Sequence, residues 1–153
     1  MINFLKKIKL YFYLCKYAIE GVFLYKFLYH GSMYTLGSNI LLVKKFNKIK
    51  NSSFYRNASH IAIYGAGKHT IRLLNLDLIS SAKIVAIFDD DKNKTSFMGF
   101  PVYPLEKSAD VDFDLLIISS DVYEEKMYRA AIELVPANRT LVKIYKFEKF
   151  SRR

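Results

Sequence analysis

Ile61-Ala62-Ile63-Tyr64-Gly65-Ala66-Gly67-Lys68-His69-Thr70 decides how this chain folds. The apolar run from His60 to Tyr64 reads as a buried strand, and Lys68 to Leu78 reads as a helix with Ile71, Leu74 and Leu78 turned inward. Glycines that sit where a strand passes directly into a helix have a specific physical use. Gly65 permits the tight turn, Gly67 lets the backbone approach a phosphate closely, and the unpaired N–H groups of the first helical turn attract negative charge. The loop Gly65-Ala66-Gly67, with Lys68 and His69 beyond it, is therefore a candidate phosphate cradle. Thr70 stands where a dinucleotide fingerprint carries its third glycine, so the helix is expected to pack farther from the sheet.

Outward from this stretch, short β-branched runs alternate with helical ones. Ile84 to Phe88 is a second strand ending in Asp89-Asp90-Asp91, and Gly99 and Pro101 lead to an extended piece at Val102 and Tyr103. Leu115 to Ile118 is the most apolar strand, Val122 to Leu134 its following helix, and Thr140 to Tyr145 a last strand. This order predicts an α/β fold, a small Rossmann-like parallel sheet flanked by helices over residues 59–147. Asp89 lies 24 residues after Gly65, close to the spacing of about 20 at which an acid accepts from a ribose. Ser119 and Ser120 follow the central strand at its carboxyl end, the edge where open α/β sheets bind ligands.

Each of these residues also has a plainer reading. The glycines can serve the turn alone, and Asp90 and Asp91 can be solvated loop charges. Ser119 and Ser120 can cap the next helix, and Tyr123 can stack on a base or sugar but reads first as a packing residue. His69 sits in a first helical turn, where a cation is disfavoured, so it is either neutral and exposed or close to a bound phosphate. No serine or cysteine nucleophile, carboxylate pair or metal-ligand cluster is implied by spacing, so no catalytic residue and no metal site is assigned.

The amino-terminal third differs from the rest. Residues 1–50 carry nine Lys and one Glu, +8 of the chain's net +10. Ile2 to about Tyr29 reads as an aromatic, basic amphipathic helix with Leu5, Ile8, Phe12, Cys15 and Ile19 on one face, and a weaker helix follows from Met33 to Ile49. This composition suits an anionic membrane surface, a partner, a second copy of the chain or the domain's own core. A nucleic-acid partner is disfavoured by the long apolar stripe. Residues 51–58 read as a polar linker and 148–153 as a basic tail. The single Cys15 excludes an internal disulfide, and no signal peptide or spanning segment is legible, so the chain reads as cytoplasmic, with peripheral contact at the inner face of the membrane as an option.

The run Tyr64 to Thr70, with Leu73-Leu74, Val85 to Asp91, Gly99-Phe100-Pro101-Val102 and Ile117-Ile118-Ser119-Ser120, resembles the Rossmann-like domains of bacterial surface-polysaccharide enzymes. These include the amino-terminal domain of nucleotide-sugar O-acyltransferases and the nucleotide-binding domain of sugar epimerase-dehydratases. The resemblance implies a nucleotide or UDP-sugar, with Gly65, Gly67 and His69 near the phosphates and Asp89 and Asp90 near the nucleoside. The hexapeptide-repeat domain of the acyltransferases and the second, catalytic Rossmann domain of the dehydratases have no counterpart here. The expectation is a nucleotide-sugar binding module that works with a separate glycan-modifying enzyme. The alternative is a small NAD(P)-dependent oxidoreductase or a sugar-nucleotide-modifying enzyme, against which Thr70 and the missing substrate domain count.

Overall fold

The computed structural model describes residues 33–146 and 149–150. The reading of Ile2 to Tyr29 as an amphipathic helix, and all that follows from it, lies outside these residues. The chain divides into two compact units, Met1–Ile40 and Leu41–Arg153. Helix α1 (Met33–Lys50) begins in the first, and everything below belongs to the second.

The sheet has seven strands: β1 (Ile61–Tyr64), β2 (Ile84–Phe88), β3 (Ser96–Phe97), β4 (Phe100–Tyr103), β5 (Leu115–Ile118), β6 (Thr140–Lys143) and β7 (Lys149–Phe150). Their spatial order is β3-β4-β2-β1-β5-β6-β7. The five central strands run parallel, and the two-residue strands β3 and β7 pair antiparallel at the edges. The expected α/β architecture, preceded by a helix, is thus the observed one. Strands β1 and β5 are buried at all four positions, as parallel strands covered on both faces must be, which is why they read as unbroken apolar runs.

Alternation along the strands divides the core in two. Ile61, Ile63, Leu115, Ile117 and Val142 face one side, where they meet Leu73 of helix α3 (Lys68–Asn75) and Leu42, Phe46 and Ile49 of α1. Ala62, Tyr64, Leu116, Ile118 and Leu141 face the other, against Tyr128 and Ala131 of helix α4 (Glu124–Leu134). The crossover from β1 to β2 and that from β5 to β6 step away from the β1–β5 pair in opposite directions. With the usual right-handed crossovers this sends α3 and α4 to opposite faces and leaves a crevice at the carboxyl ends of β1 and β5.

Several boundaries differ from the sequence reading, and the last long strand ends at Lys143 rather than Tyr145. Residues 51–58 are not a featureless linker. Ser52 caps a short helix α2 (Ser53–Asn57) by accepting from Tyr55 N, and Tyr55 and Ala58 join the core, with Tyr55 edge-on to Phe46 at 5.8 Å. Helix α3 stops at Asn75 although its apolar period continues to Leu78. Asp77 adopts φ +47, and Leu78 N donates to Leu73 O, which closes the helix while still burying Leu78. Helix α4 starts at Glu124, and Val122 and Tyr123 before it are exposed. In the basic tail, Lys149 and Phe150 pair with β6 as β7. No helix of the described residues is long and apolar enough to cross a membrane.

Candidate functional site

Gly65 turns the chain at the end of β1 with φ +116, a conformation L side chains rarely adopt. Its N–H donates to Phe88 O at 2.7 Å. A Cβ here would lie 2.9 Å from Ser119 O and 3.1 Å from Met127 Cε, so the loop threads a gap that only glycine fits. Gly67 is different. It is the N-cap of α3 in extended conformation, φ −133 and ψ −171, and no side chain caps the helix. Nothing lies within 4 Å of where its Cβ would be. The protein's own packing thus accounts for Gly65 but not for Gly67, whose bare backbone faces open space at a helix N-terminus, where anions are favoured.

Between the two glycines, Ala66 N donates to Asp89 Oδ2 at 2.6 Å. The same carboxylate accepts from Asp91 N at 3.0 Å and pairs with Lys94 Nζ at 3.1 Å, and Lys94 also reaches Ala66 O at 3.2 Å. Burial opposes ionisation of Asp89, but the two N–H groups and Lys94 outweigh it and hold its carboxyl below the ordinary value. Asp89 therefore sits on the glycine loop as a fixed negative group, with one cation beside it.

His69 is buried, only 7% exposed. Nδ1 lies 3.0 Å from Ser119 Oγ and Nε2 lies 2.8 Å from Tyr145 Oη. Burial pushes its pKa down to about 4, assisted by Arg72 and opposed by Asp121. The exposed alternative for this histidine is not what the fold provides: its ring is closed in under the loop by Ser119 and Tyr145. Thr70, also buried, donates its hydroxyl proton to Gly65 O and touches Ser119 Oγ at 2.7 Å. The residue in the third-glycine position thus ties the helix to the turn. Lys68 is exposed at the first helical position.

Asp90 points the other way. Tyr64 Oη donates to Asp90 Oδ1 at 2.5 Å on the α4 face of the sheet, and burial, then this bond, raises the phenol's pKa. Tyr64, Asp90, Tyr123, Lys126, Met127 and Ala130 bound a cleft of about 310 Å³. Tyr123, expected to pack, is 64% exposed at its mouth. Ser120 Oγ accepts from Tyr123 N at 2.8 Å and so shapes the approach to α4.

The fold therefore gathers Gly65, Ala66, Gly67, His69, Thr70, Asp89 and Ser119 around one loop and sends Asp90 to a neighbouring cleft. Sequence reasoning missed Lys94, Tyr145, Met127 and Glu124. Glu124 looks like an ordinary first-turn acid, yet its buried carboxylate accepts from Ile144 N, Tyr145 N and Lys146 N at 2.5, 2.8 and 3.0 Å. That grip holds Tyr145 against His69. Among the described residues no group of His, Cys, Asp and Glu is placed to hold a metal ion.

A family model described as "C2185-like, N-terminal" matches residues 57–141, more than half of the chain. The chain belongs to the C2185-like N-terminal family. The C2185-like segment contains the glycine loop, Asp89, Asp90, Ser119 and the whole of α4. No curated protein matches the chain. Among solved structures it is similar to UDP-D-quinovosamine 4-dehydrogenase from Vibrio fischeri, at 20% identity and a TM-score of 0.41, over 61% of this chain and 93% of that one.

Proposed function

We propose that residues 59–147 are a nucleotide or nucleotide-sugar binding domain, a UDP-sugar being favoured, that serves a separate enzyme of bacterial surface glycan synthesis and is not catalytic alone. The observation that carries this reading is Gly67. Its conformation is open to any residue, no neighbour excludes a side chain, and yet it is glycine at an uncapped helix N-terminus. A phosphate oxygen that must approach the backbone closely gives that choice a physical reason. Asp89, ionised and fixed beside the loop, supports a polar hydroxyl-bearing group next to the phosphate. The basic residues 1–50 are proposed as the tether to an anionic membrane surface or to the partner enzyme.

Calorimetric and thermal-shift titration against UDP, UDP-N-acetylglucosamine, CMP, NAD and NADP tests the reading, repeated with Gly67→Asp. A uridine nucleotide at about 100 times its Kd is expected to stabilise the fold by about 2.7 kcal/mol, and Gly67→Asp to abolish that gain. Stabilisation by NAD or NADP instead would move the chain to the oxidoreductase reading. No stabilisation by any of them would leave the glycine turn a purely structural device.

A further inference from the structure

Ala66 is held at both ends of its backbone. Its N–H donates to Asp89 Oδ2 at 2.6 Å, and its carbonyl accepts from Lys94 Nζ at 3.2 Å. The same ammonium lies 3.1 Å from Asp89 Oδ1, so one ion pair grips two successive peptide units of the glycine loop. Lys94 is itself placed by a turn, in which its N–H donates to Asp91 O at 3.1 Å. The second of the two gripped units joins Ala66 to Gly67. It is trans, and in a trans unit the C=O and the N–H point opposite ways. With Ala66 O drawn toward Lys94, Gly67 N–H is directed away from the ion pair, and it meets no acceptor among the described residues.

Gly67 does not fix this orientation by itself. Turning the 66–67 unit over changes ψ of Ala66 and φ of Gly67, and glycine accepts either sign of φ at little cost. Turned over, the unit would aim a carbonyl where an N–H now points, and a carbonyl oxygen repels phosphate. The residue type that lets a phosphate approach the backbone thus also leaves that backbone able to present the wrong group. We infer that Lys94 is a positioning residue of the glycine loop: by holding Ala66 O it keeps Gly67 N–H turned toward the phosphate of a bound nucleotide. It does so without adding net charge, because Asp89 balances it. A donor fixed in advance has no ordering left to lose on binding. This inference rests on the nucleotide reading above.

The test is calorimetry of the full chain with UDP on the wild type, Lys94→Met, Asp89→Asn and the double variant, with the Gly67 amide followed by NMR. Lys94 is partly exposed on a loop, so its variants are expected to fold. Lys94→Met should bind UDP about tenfold more weakly, the worth of one hydrogen bond that involves a charged group, and should move the Gly67 amide signal of the unliganded protein. It also leaves Asp89 uncompensated near the phosphate, and the double variant separates that effect. If Lys94 orients the loop, its removal still costs about tenfold in the Asp89→Asn background. If it only balances Asp89, its removal costs nothing there and the inference falls. A Gly67 amide that Lys94→Met leaves unmoved overturns it as well. UDP that binds the wild type and Lys94→Met alike removes this inference alone, and failure of UDP to bind the wild type removes the uridine-nucleotide reading with it.

Discussion

Tyr145 Oη lies 2.8 Å from His69 Nε2, and this contact ends a row of hydrogen bonds whose protons can be assigned by counting. Gly65 O can only accept, so the single hydroxyl proton of Thr70 goes there. The 2.7 Å contact between Thr70 and Ser119 must then use the proton of Ser119. Ser119 is left as an acceptor for His69, so Nδ1 carries the hydrogen and the bare Nε2 accepts from Tyr145. The row runs one way from Tyr145 to the glycine turn, and it requires a neutral imidazole.

Neutrality sets a pH dependence. The pKa of His69 falls from 6.5 to about 4 on folding, so between those values the unfolded chain binds more protons than the folded one. Stability is full above about pH 6.5 and is lost as pH falls toward 4, by up to about 3 kcal/mol. Urea unfolding followed across this range should show the loss in the wild type and not in His69→Gln. Asp89 and Asp114, whose carboxyls are held low, add their own losses mainly below it. Identical slopes for the two proteins between pH 6.5 and 4 would sink the assignment, as would nitrogen NMR showing hydrogen on Nε2.

The hydroxyl row also makes Thr70 a structural choice. Thr70→Val keeps the shape but leaves Gly65 O without its donor and the hydroxyl proton of Ser119 without its acceptor, at a cost of about 1–3 kcal/mol. Ser119→Ala is expected to cost a similar amount. Because both break the same row, the double variant should lose less than the sum. Additive losses in denaturant unfolding would mean that the two hydroxyls act separately.

How much of this was legible follows from the range of each contact. Ile61–Tyr64, Ile84–Phe88 and Leu115–Ile118 announce themselves because parallel strands buried on both faces need unbroken apolar runs. The glycine loop is legible because strand, glycine and helix adjoin. Helix α2 was hidden by the polar residues around Phe54 and Tyr55, and the true end of α3 by an apolar period that outlasts the turn at Asp77. Tyr145 meets His69 across 76 positions, a distance at which no local pattern operates. The opposite destinations of Asp89 and Asp90 depend on the strand phase at Phe88, which the apolar run of β2 does not reveal, since it is buried on both faces.

Glu124 offers a test of how Tyr145 is held. Its carboxylate takes three successive backbone N–H groups after β6, and removing a charged acceptor strands all three. Glu124→Ala is expected to cost about 3 kcal/mol or more, and Glu124→Gln less, since one amide oxygen still accepts. Both should also disturb the His69 ring signals in NMR, because the backbone that positions Tyr145 has lost its anchor. Unchanged His69 signals in a destabilised Glu124→Ala would show that the two contacts are independent.

The two glycines separate folding from binding. At Gly65, alanine must adopt φ +116 and place its methyl 2.9 Å from Ser119 O, so Gly65→Ala is expected to lose about 3 kcal/mol or more of stability. At Gly67 the backbone already suits an L residue and nothing stands within 4 Å. Gly67→Ala should change stability by less than about 1 kcal/mol, and Gly67→Asp should raise it slightly, since aspartate is a good N-cap. Both Gly67 variants should nevertheless bind nucleotide more weakly, the aspartate more so, because it sets a negative charge where phosphate is proposed to lie. A Gly67→Asp protein that is as stable as the wild type and still binds UDP equally well would remove the reason for glycine at that position, and with it the main support for a ligand there.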